Sequence, residues 1–207
     1  MFITLEGIEG SGKTTQLRKL AERIPNVLVT KEPGGTPTAD RIRAILLDTR
    51  EKIDPVAELF LFAASRRQHV MEVIRPALAE GRVVLCDRFT DATLAYQGFG
   101  RRLDLDRLRW LNEWATDSLH PHVTLIFDLP EEMGLTRARS RNSTAPVDEG
   151  RFELEDLRFH RRVREGYLAL AASEPQRYAV IDAAGTPEEV FERTRRVLSE
   201  RAPGVIA

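Results

Sequence analysis

The chain has 207 residues, 42% of them apolar and 30% charged, and its 31 Lys and Arg against 32 Asp and Glu leave a net charge of −1. That length supports a large core and, by default, one domain spanning 1–207. The balanced charge argues against a general nucleic-acid coat, which is basic as a rule, and no apolar run reaches membrane-spanning length. The single Cys86 rules out an intrachain disulfide, and the N-terminus enters a predicted strand without a leader pattern, so a cytoplasmic protein with no nucleic-acid or membrane partner is expected.

In chain order, Phe2–Glu6 reads as a strand, followed by the glycine-rich Gly7-Ile8-Glu9-Gly10-Ser11-Gly12-Lys13-Thr14 and a helix over Thr14–Ile24. Strands are then predicted at Val27–Lys31, Val83–Cys86, Val123–Asp128 and Tyr178–Asp182. Helices are predicted at Ala39–Leu47, Pro55–Glu80, Leu105–Ser118, Pro130–Arg141, Glu153–Ser173 and Pro187–Glu200. Strand-helix alternation predicts an α/β fold, a five-stranded parallel sheet covered by helices on both faces in three α/β/α layers. Val83–Cys86 and Val123–Phe127 are apolar on both sides, as central parallel strands are. Ligands of such folds sit at the carboxyl ends of strands, where the segments beginning at Gly7, Glu32, Asp87 and Asp128 lie.

Gly7–Thr14 fits G-x-x-x-x-G-K-[ST], the phosphate-binding P-loop, at every fixed position. The expected triphosphate cradle is Gly7, Ile8, Glu9, Gly10, Ser11, Gly12, Lys13, Thr14 and Thr15. Backbone N–H groups and a helix N-terminus would hold the phosphates there, and Lys13 would reach the β/γ-phosphates. Thr14 and Asp87, the latter ending an apolar strand, are the expected Mg²⁺ residues, and Arg88 next to it suits a bidentate phosphate contact. Phe62 and Arg66 share a helix face, so a ring and a guanidinium could address a flat base; on spacing alone Phe62, within Leu59-Phe60-Leu61-Phe62, reads first as core. Gln97 carries an amide able to read an imide edge, and Thr93, one turn earlier, offers a hydroxyl. The stretch Asn142–Gly150 has little periodicity and follows Arg137, Arg139 and Arg141; it reads as a surface loop or, beside a triphosphate site, as part of a short lid over about 137–153.

Five motifs in order resemble the thymidylate kinase family of P-loop kinases over essentially the whole chain: Glu6–Thr15, Lys31-Glu32-Pro33-Gly34-Gly35-Thr36, Phe62-Ala63-Ala64-Ser65-Arg66, Asp87-Arg88-Phe89 with Ala95-Tyr96-Gln97-Gly98, and the arginine-rich lid ending Gly150-Arg151-Phe152-Glu153. The resemblance implies a P-loop kinase fold, ATP as phosphoryl donor with Mg²⁺, dTMP as acceptor yielding dTDP for dTTP biosynthesis, and a homodimer. It implies that Glu32 shapes the monophosphate site, that Arg43 and Arg88 bind the dTMP phosphate, and that Phe62, Arg66, Thr93 and Gln97 address thymine. Tyr96 would pack near the sugar 2′ position, and Glu9 would approach the nucleotide 3′ region. None of Ile8, Glu9, Gly10 and Ser11 is basic, so the resemblance assigns a catalytic role to a lid arginine, Arg151 above all, beside Lys13, Arg88 and Glu9, with Arg137 and Arg141 on the donor. Departures from the family pattern are Lys31 where Arg is common, Ala92 where Ser is common, and Gly150 in place of Asp.

Overall fold

A computed structural model describes residues 1–50, 52–142 and 150–206, with the side chains of residues 141 and 142 also outside the description. Strands β1 (Phe2–Glu6), β2 (Val27–Lys31), β3 (Val83–Asp87), β4 (Val123–Asp128) and β5 (Tyr178–Asp182) form one parallel sheet in the order β2-β3-β1-β4-β5. β1 is buried throughout and lies between β3 and β4, with Ile3 opposite Leu85 on one side and Val123 on the other.

Successive strand residues face opposite layers. Ile3, Leu5, Leu85, Leu125 and Phe127 pack on Leu17 and Leu20 of α1 (Lys13–Ala21) and on Val190, Phe191 and Leu198 of α9 (Pro187–Arg201). On the other face, Ile126 joins Phe159, Val163, Tyr167 and Leu170 of α8 (Leu157–Ser173), while Phe2, Val84 and Cys86 meet Val70, Ile74 and Ala77. The result is the expected three-layer α/β/α arrangement.

Several helices start where a capping side chain precedes a proline, whose missing N–H is one of the helix's orphan donors anyway. Thr36 accepts from Ala39 N ahead of α2 (Pro37–Leu47), and Asp54 accepts from Val56 N and Ala57 N ahead of α3 (Pro55–His69). Thr186 forms a reciprocal capping box with Glu189 ahead of α9.

Four departures from the sequence expectation exceed the one- or two-residue shifts at other element ends. The first helix stops at Ala21 instead of Ile24, consistent with Pro25 disfavouring helical backbone at the residue before it. The expected single helix Pro55–Glu80 is α3, a wide π turn at Val70–Ile74, and α4 (Arg75–Ala79); Pro76 has no N–H to continue the regular ladder, and the wider turn absorbs the break. The expected start at Glu153 is replaced by a 3₁₀ turn, Arg151–Leu154, after which Asp156 caps α8 through Phe159 N at 2.7 Å. A segment not predicted as a full element, α5 (Thr90–Thr93) running into a π-wound Leu94–Gly100, follows β3. α6 (Leu105–Thr116) and α7 (Glu131–Asn142) complete the chain. Most of the loop-like stretch Asn142–Gly150 lies outside the described residues.

Candidate active site

The glycine-rich segment joins the buried end of β1 to the first turn of α1. Gly12 takes φ 87° and serves as the N-cap of α1, a left-handed conformation that a β-carbon disfavours. α7 closes against the segment: a β-carbon added at Gly134 would stand 2.6 Å from Glu9 O. The Lys13 ammonium folds back into the loop, donating to Gly7 O and Ile8 O at 2.9 Å each and to Ser11 Oγ at 3.3 Å. Burial and the neighbouring Arg88 charge push its pKa down to about 8. Thr14 Oγ1 donates to Asp87 Oδ2 at 3.0 Å, so the end of β3 and the start of α1 bring a hydroxyl and a carboxylate together at one edge of the loop. Both are hard oxygen donors of the kind Mg²⁺ takes, with waters and phosphate oxygens completing its shell.

Arg88 joins the loop to the segment after β3. Its Nη2 donates to Glu9 Oε1 at 2.9 Å and to the Tyr96 hydroxyl at 3.0 Å, its Nη1 donates to the Tyr167 hydroxyl at 3.3 Å, and its guanidinium lies 4.7 Å from the Tyr96 ring centre. Tyr96 in turn donates to Glu9 at 2.7 Å. Burial alone would raise the Glu9 pKa, but Arg88, His160 and Lys13 outweigh it and hold the carboxylate well below its usual range. His160 is fully buried on α8 with Nδ1 3.4 Å from Glu9 Oε2, and neither ring nitrogen finds a hydrogen-bond partner among the described residues. Tyr96 and Tyr167 keep their protons, because burial raises both phenols far above their ordinary value.

A cavity of about 600 Å³ extends from this point, within the range of small-molecule sites. Gly10, Lys13 and Thr14 line it on the loop side; Arg43, Phe62, Arg66, Tyr96 and Gln97 line it as well, together with Glu9, Thr15, Glu32, Asp87, Arg88 and Thr93. Of the sequence-predicted residues, Gly7 and Ile8 support the loop from behind: Gly7 O accepts from Lys13, and Ile8 is buried in the hydrophobic cluster under α8.

Three of the sequence-predicted side chains also have partners inside the protein. Arg66, only 2% exposed, was expected to donate to a base carbonyl, yet four of its N–H groups are committed inside the protein. Nε donates to Glu32 Oε2 (2.7 Å), Nη1 to Thr93 Oγ1 (2.9 Å) and Asn112 Oδ1 (2.7 Å), and Nη2 to Phe89 O (3.0 Å). A buried guanidinium must satisfy its donors locally, and this one ties α3, α5 and α6 to the turn after β2. The Thr93 hydroxyl is thereby an acceptor for Arg66. Arg151, expected at the transferring phosphoryl group, donates instead to Leu46 O and Glu58 Oε2 at 2.5 Å each and is absent from the cavity lining. The third is Gln97, whose amide nitrogen donates to Glu58 Oε1 at 2.8 Å.

Glu32 has a second partner, His69 Nδ1, at 3.0 Å; burial would raise its pKa, but Arg66 and His69 hold it below the usual range. Arg43 Nη1 donates to Pro33 O at 3.0 Å, which orients it along the cavity wall. Phe62 lies 6.1 Å from Phe152 in a tilted pair. Arg137 Nη1 donates to Ala183 O at 3.4 Å, and the Arg141 side chain lies outside the described residues.

Sequence reading missed the fully buried Glu58, which gathers Gln97, Arg101 and Arg151, and also Phe152, Tyr167 and His160. A carboxylate inside the apolar run Val56–Phe62 was the available signal for Glu58. A family model described as thymidylate kinase matches residues 5–194. A thymidylate kinase of Syntrophotalea carbinolica is 59% identical over 198 residues, covering 93% of this chain and 92% of that protein. Another, of Geotalea uraniireducens, is 52% identical over 210 residues, covering 98% and 99%. The crystal structure of thymidylate kinase from Ehrlichia chaffeensis superposes with a TM-score of 0.76 at 35% identity, covering 96% of this chain and 98% of that one. This chain therefore belongs to the thymidylate kinase family, enzymes that phosphorylate dTMP to dTDP.

Proposed function

We propose that the phosphoryl donor is ATP, held on Gly7–Thr15 with Mg²⁺ beside Thr14 and Asp87, and that dTMP occupies the Phe62–Gln97 end of the same cavity. One observation carries this reading: a single cavity is lined by the phosphate-type loop and by the acceptor-side residues, and Arg88 links them through Glu9 and Tyr96. Phe62 stacks on thymine, Gln97 hydrogen-bonds the base edge, Arg66 contributes its remaining Nη2 N–H, and Arg43 and Arg88 take the monophosphate. Tyr96, fixed by Glu9, fills the space where a ribose 2′-hydroxyl would go.

The acceptor is an ionised phosphate, so no strong general base is required; positioning and charge neutralisation do the catalysis. Lys13 exchanges its carbonyl contacts for phosphate oxygens, whose negative charge favours its protonated form. Bound Mg²⁺ supplies further charge neutralisation at the phosphate oxygens. Arg137 and Arg141 serve the donor as the lid at about 137–153 closes and excludes water, and Arg151 supports the acceptor end through Glu58. One domain, 1–207, carries the whole reaction in the cytoplasm, without nucleic acid or membrane; among the described residues no helix is long and apolar enough to cross a membrane.

A homodimer fits the outer face of the helical layer. Phe60 of α3 is 59% exposed, and Trp110 and Trp114 of α6 are 63% and 68% exposed with their rings 5.3 Å apart. Light scattering at micromolar concentration gives twice the chain mass if this holds, and a single-chain mass rejects it.

A coupled assay over dTMP, dUMP, dCMP, dGMP and dAMP tests the acceptor assignment. dTMP is expected to be preferred with some use of dUMP, because a methyl-sized difference discriminates only about 10–200-fold. Equal use of dCMP or a purine nucleotide, or brisk ATP consumption with no acceptor present, contradicts the reading.

A further inference from the structure

We propose that Glu6 is a positioning residue for Arg88, gripping the backbone just beyond it and, through the Tyr167 hydroxyl, its guanidinium. Glu6 ends β1, is fully buried, and does not line the cavity. A carboxyl there is expensive unless its hydrogen bonds are needed. The other buried acid nearby, Asp91, has a cation of its own, Arg177 at 2.8 Å. Glu6 has no cation within ion-pair distance among the described residues; it accepts from Phe89 N at 2.7 Å and from the Tyr167 hydroxyl at 2.7 Å.

Both bonds converge on Arg88. This residue has φ 70°, a left-handed conformation that is rare for a side chain with a β-carbon. Its own N–H donates to Leu5 O at 3.0 Å, and the next N–H, that of Phe89, donates to the Glu6 carboxyl. The end of β1 thus holds the chain on both sides of the strained residue. The hydroxyl of Tyr167, 1% exposed, sits between Glu6 Oε2 and Arg88 Nη1 and fixes the far end of the side chain. With its backbone and guanidinium both held, Arg88 meets the ligand preorganised.

The proposal rests on the reading of Arg88 as the arginine at the phosphates. The test is steady-state kinetics with ATP and dTMP on the full chain for Tyr167→Phe, Glu6→Met and Glu6→Gln, each made in the native protein and in Arg88→Met. Tyr167→Phe and Glu6→Met are expected to lower kcat about tenfold, the scale of a partly misplaced catalytic group, with KM for ATP within about twofold of native. Glu6→Gln, which keeps an acceptor for Phe89 N and holds the Tyr167 oxygen by an amide N–H that donates to it, is expected to restore most of the rate. In Arg88→Met neither Tyr167→Phe nor Glu6→Met is expected to lower the rate further, since residues acting through one group are not additive. Native kcat in Tyr167→Phe, or an undiminished extra loss in Arg88→Met, overturns the proposal. If Glu6→Met does not fold, Tyr167→Phe decides. Native kcat in Arg88→Met alone overturns the underlying reading of Arg88, a result distinct from the other two.

Discussion

Replacing Gly134 by Ala sets helix propensity against loop geometry. Gly134 lies inside α7, where Gly→Ala is worth about 1 kcal/mol in favour of the helix. The new β-carbon would stand 2.6 Å from Glu9 O and 2.8 Å from Ile8 Cδ1. The isoleucine end has freedom to turn aside, but the carbonyl belongs to the phosphate-binding backbone, and it must retreat about 0.4 Å to reach even a minimal 3.0 Å contact. Overpacking of this kind costs about 1–3 kcal/mol, which cancels or exceeds the propensity gain. Net destabilisation is therefore about 0–2 kcal/mol, or a few degrees in Tm at about 2–4 °C per kcal/mol for a chain of this size. The larger effect is on the loop: a displacement of about 1 Å costs about 10²-fold in rate, so a shift of a few tenths of an ångström should lower kcat/KM for ATP about three- to tenfold. Calorimetry and kinetics on the purified variant measure both effects. A variant more stable by the full propensity gain, with native kcat/KM for ATP, would refute the tight fit of α7 against the loop.

The remaining predictions concern charge. Lys13→Met should lower kcat by about 10²–10³-fold, the usual effect of deleting one preorganised donor, in a single-turnover assay. Because the free protein holds the Lys13 pKa at about 8, kcat/KM for ATP should decline as pH rises through that value; a profile flat to pH 10 would contradict it. Burial and the Asp91 charge push the Glu6 pKa up to about 8 from an ordinary 4.5, against smaller opposing effects from Arg88, Tyr167 and Phe89 N–H, with the Lys13 ammonium and the neutral Cys86 thiol also nearby. A folded-state pKa above the unfolded one contributes stability fully present below pH 4.5 and lost as pH rises through 8. Chemical denaturation should accordingly show native stability relative to Glu6→Gln falling across that window, and a constant difference would contradict it. Glu58→Ala removes the carboxylate partner of Arg151, leaves Arg101 paired with Glu155 alone, and frees the Gln97 amide; about 3 kcal/mol of stability should be lost, with a raised KM for dTMP. An unchanged denaturation midpoint would exclude that role.

Features encoded by neighbours in sequence were the legible ones. Gly7–Thr14 is contiguous, and the strands differ from expectation by one residue, Asp87, because a five-residue apolar run bounded by polar turns is a local signal. The segment Thr90–Gly100 was not placed as an element; in the fold its Gly98 and Gly100 leave room for Leu105 and Phe159, which a β-carbon would meet at 2.5 and 2.7 Å. Phe62 and Arg66 share a face of α3 as their spacing required, but spacing does not specify direction. Arg66 turns into Glu32, Thr93 and Asn112, which lie 34, 27 and 46 positions away. Arg151 was assigned by motif to the phosphates, whereas its partner in this structure, Glu58, is 93 positions away. Buried polar networks of this kind are satisfied by whichever elements the topology brings together, and one sequence does not list those meetings.

The most direct measurement is a structure of the protein with a bisubstrate mimic in which thymidine and adenosine are joined through a polyphosphate. The prediction is that the adenosine-side phosphates lie on Gly10–Thr14 and the thymine lies between Phe62 and Gln97, with the Arg88 guanidinium on the bridging phosphates. A mimic whose thymidine binds outside the Phe62–Gln97 cavity, or whose bridging phosphates leave Arg88 on Glu9 and Tyr96 alone, would contradict it.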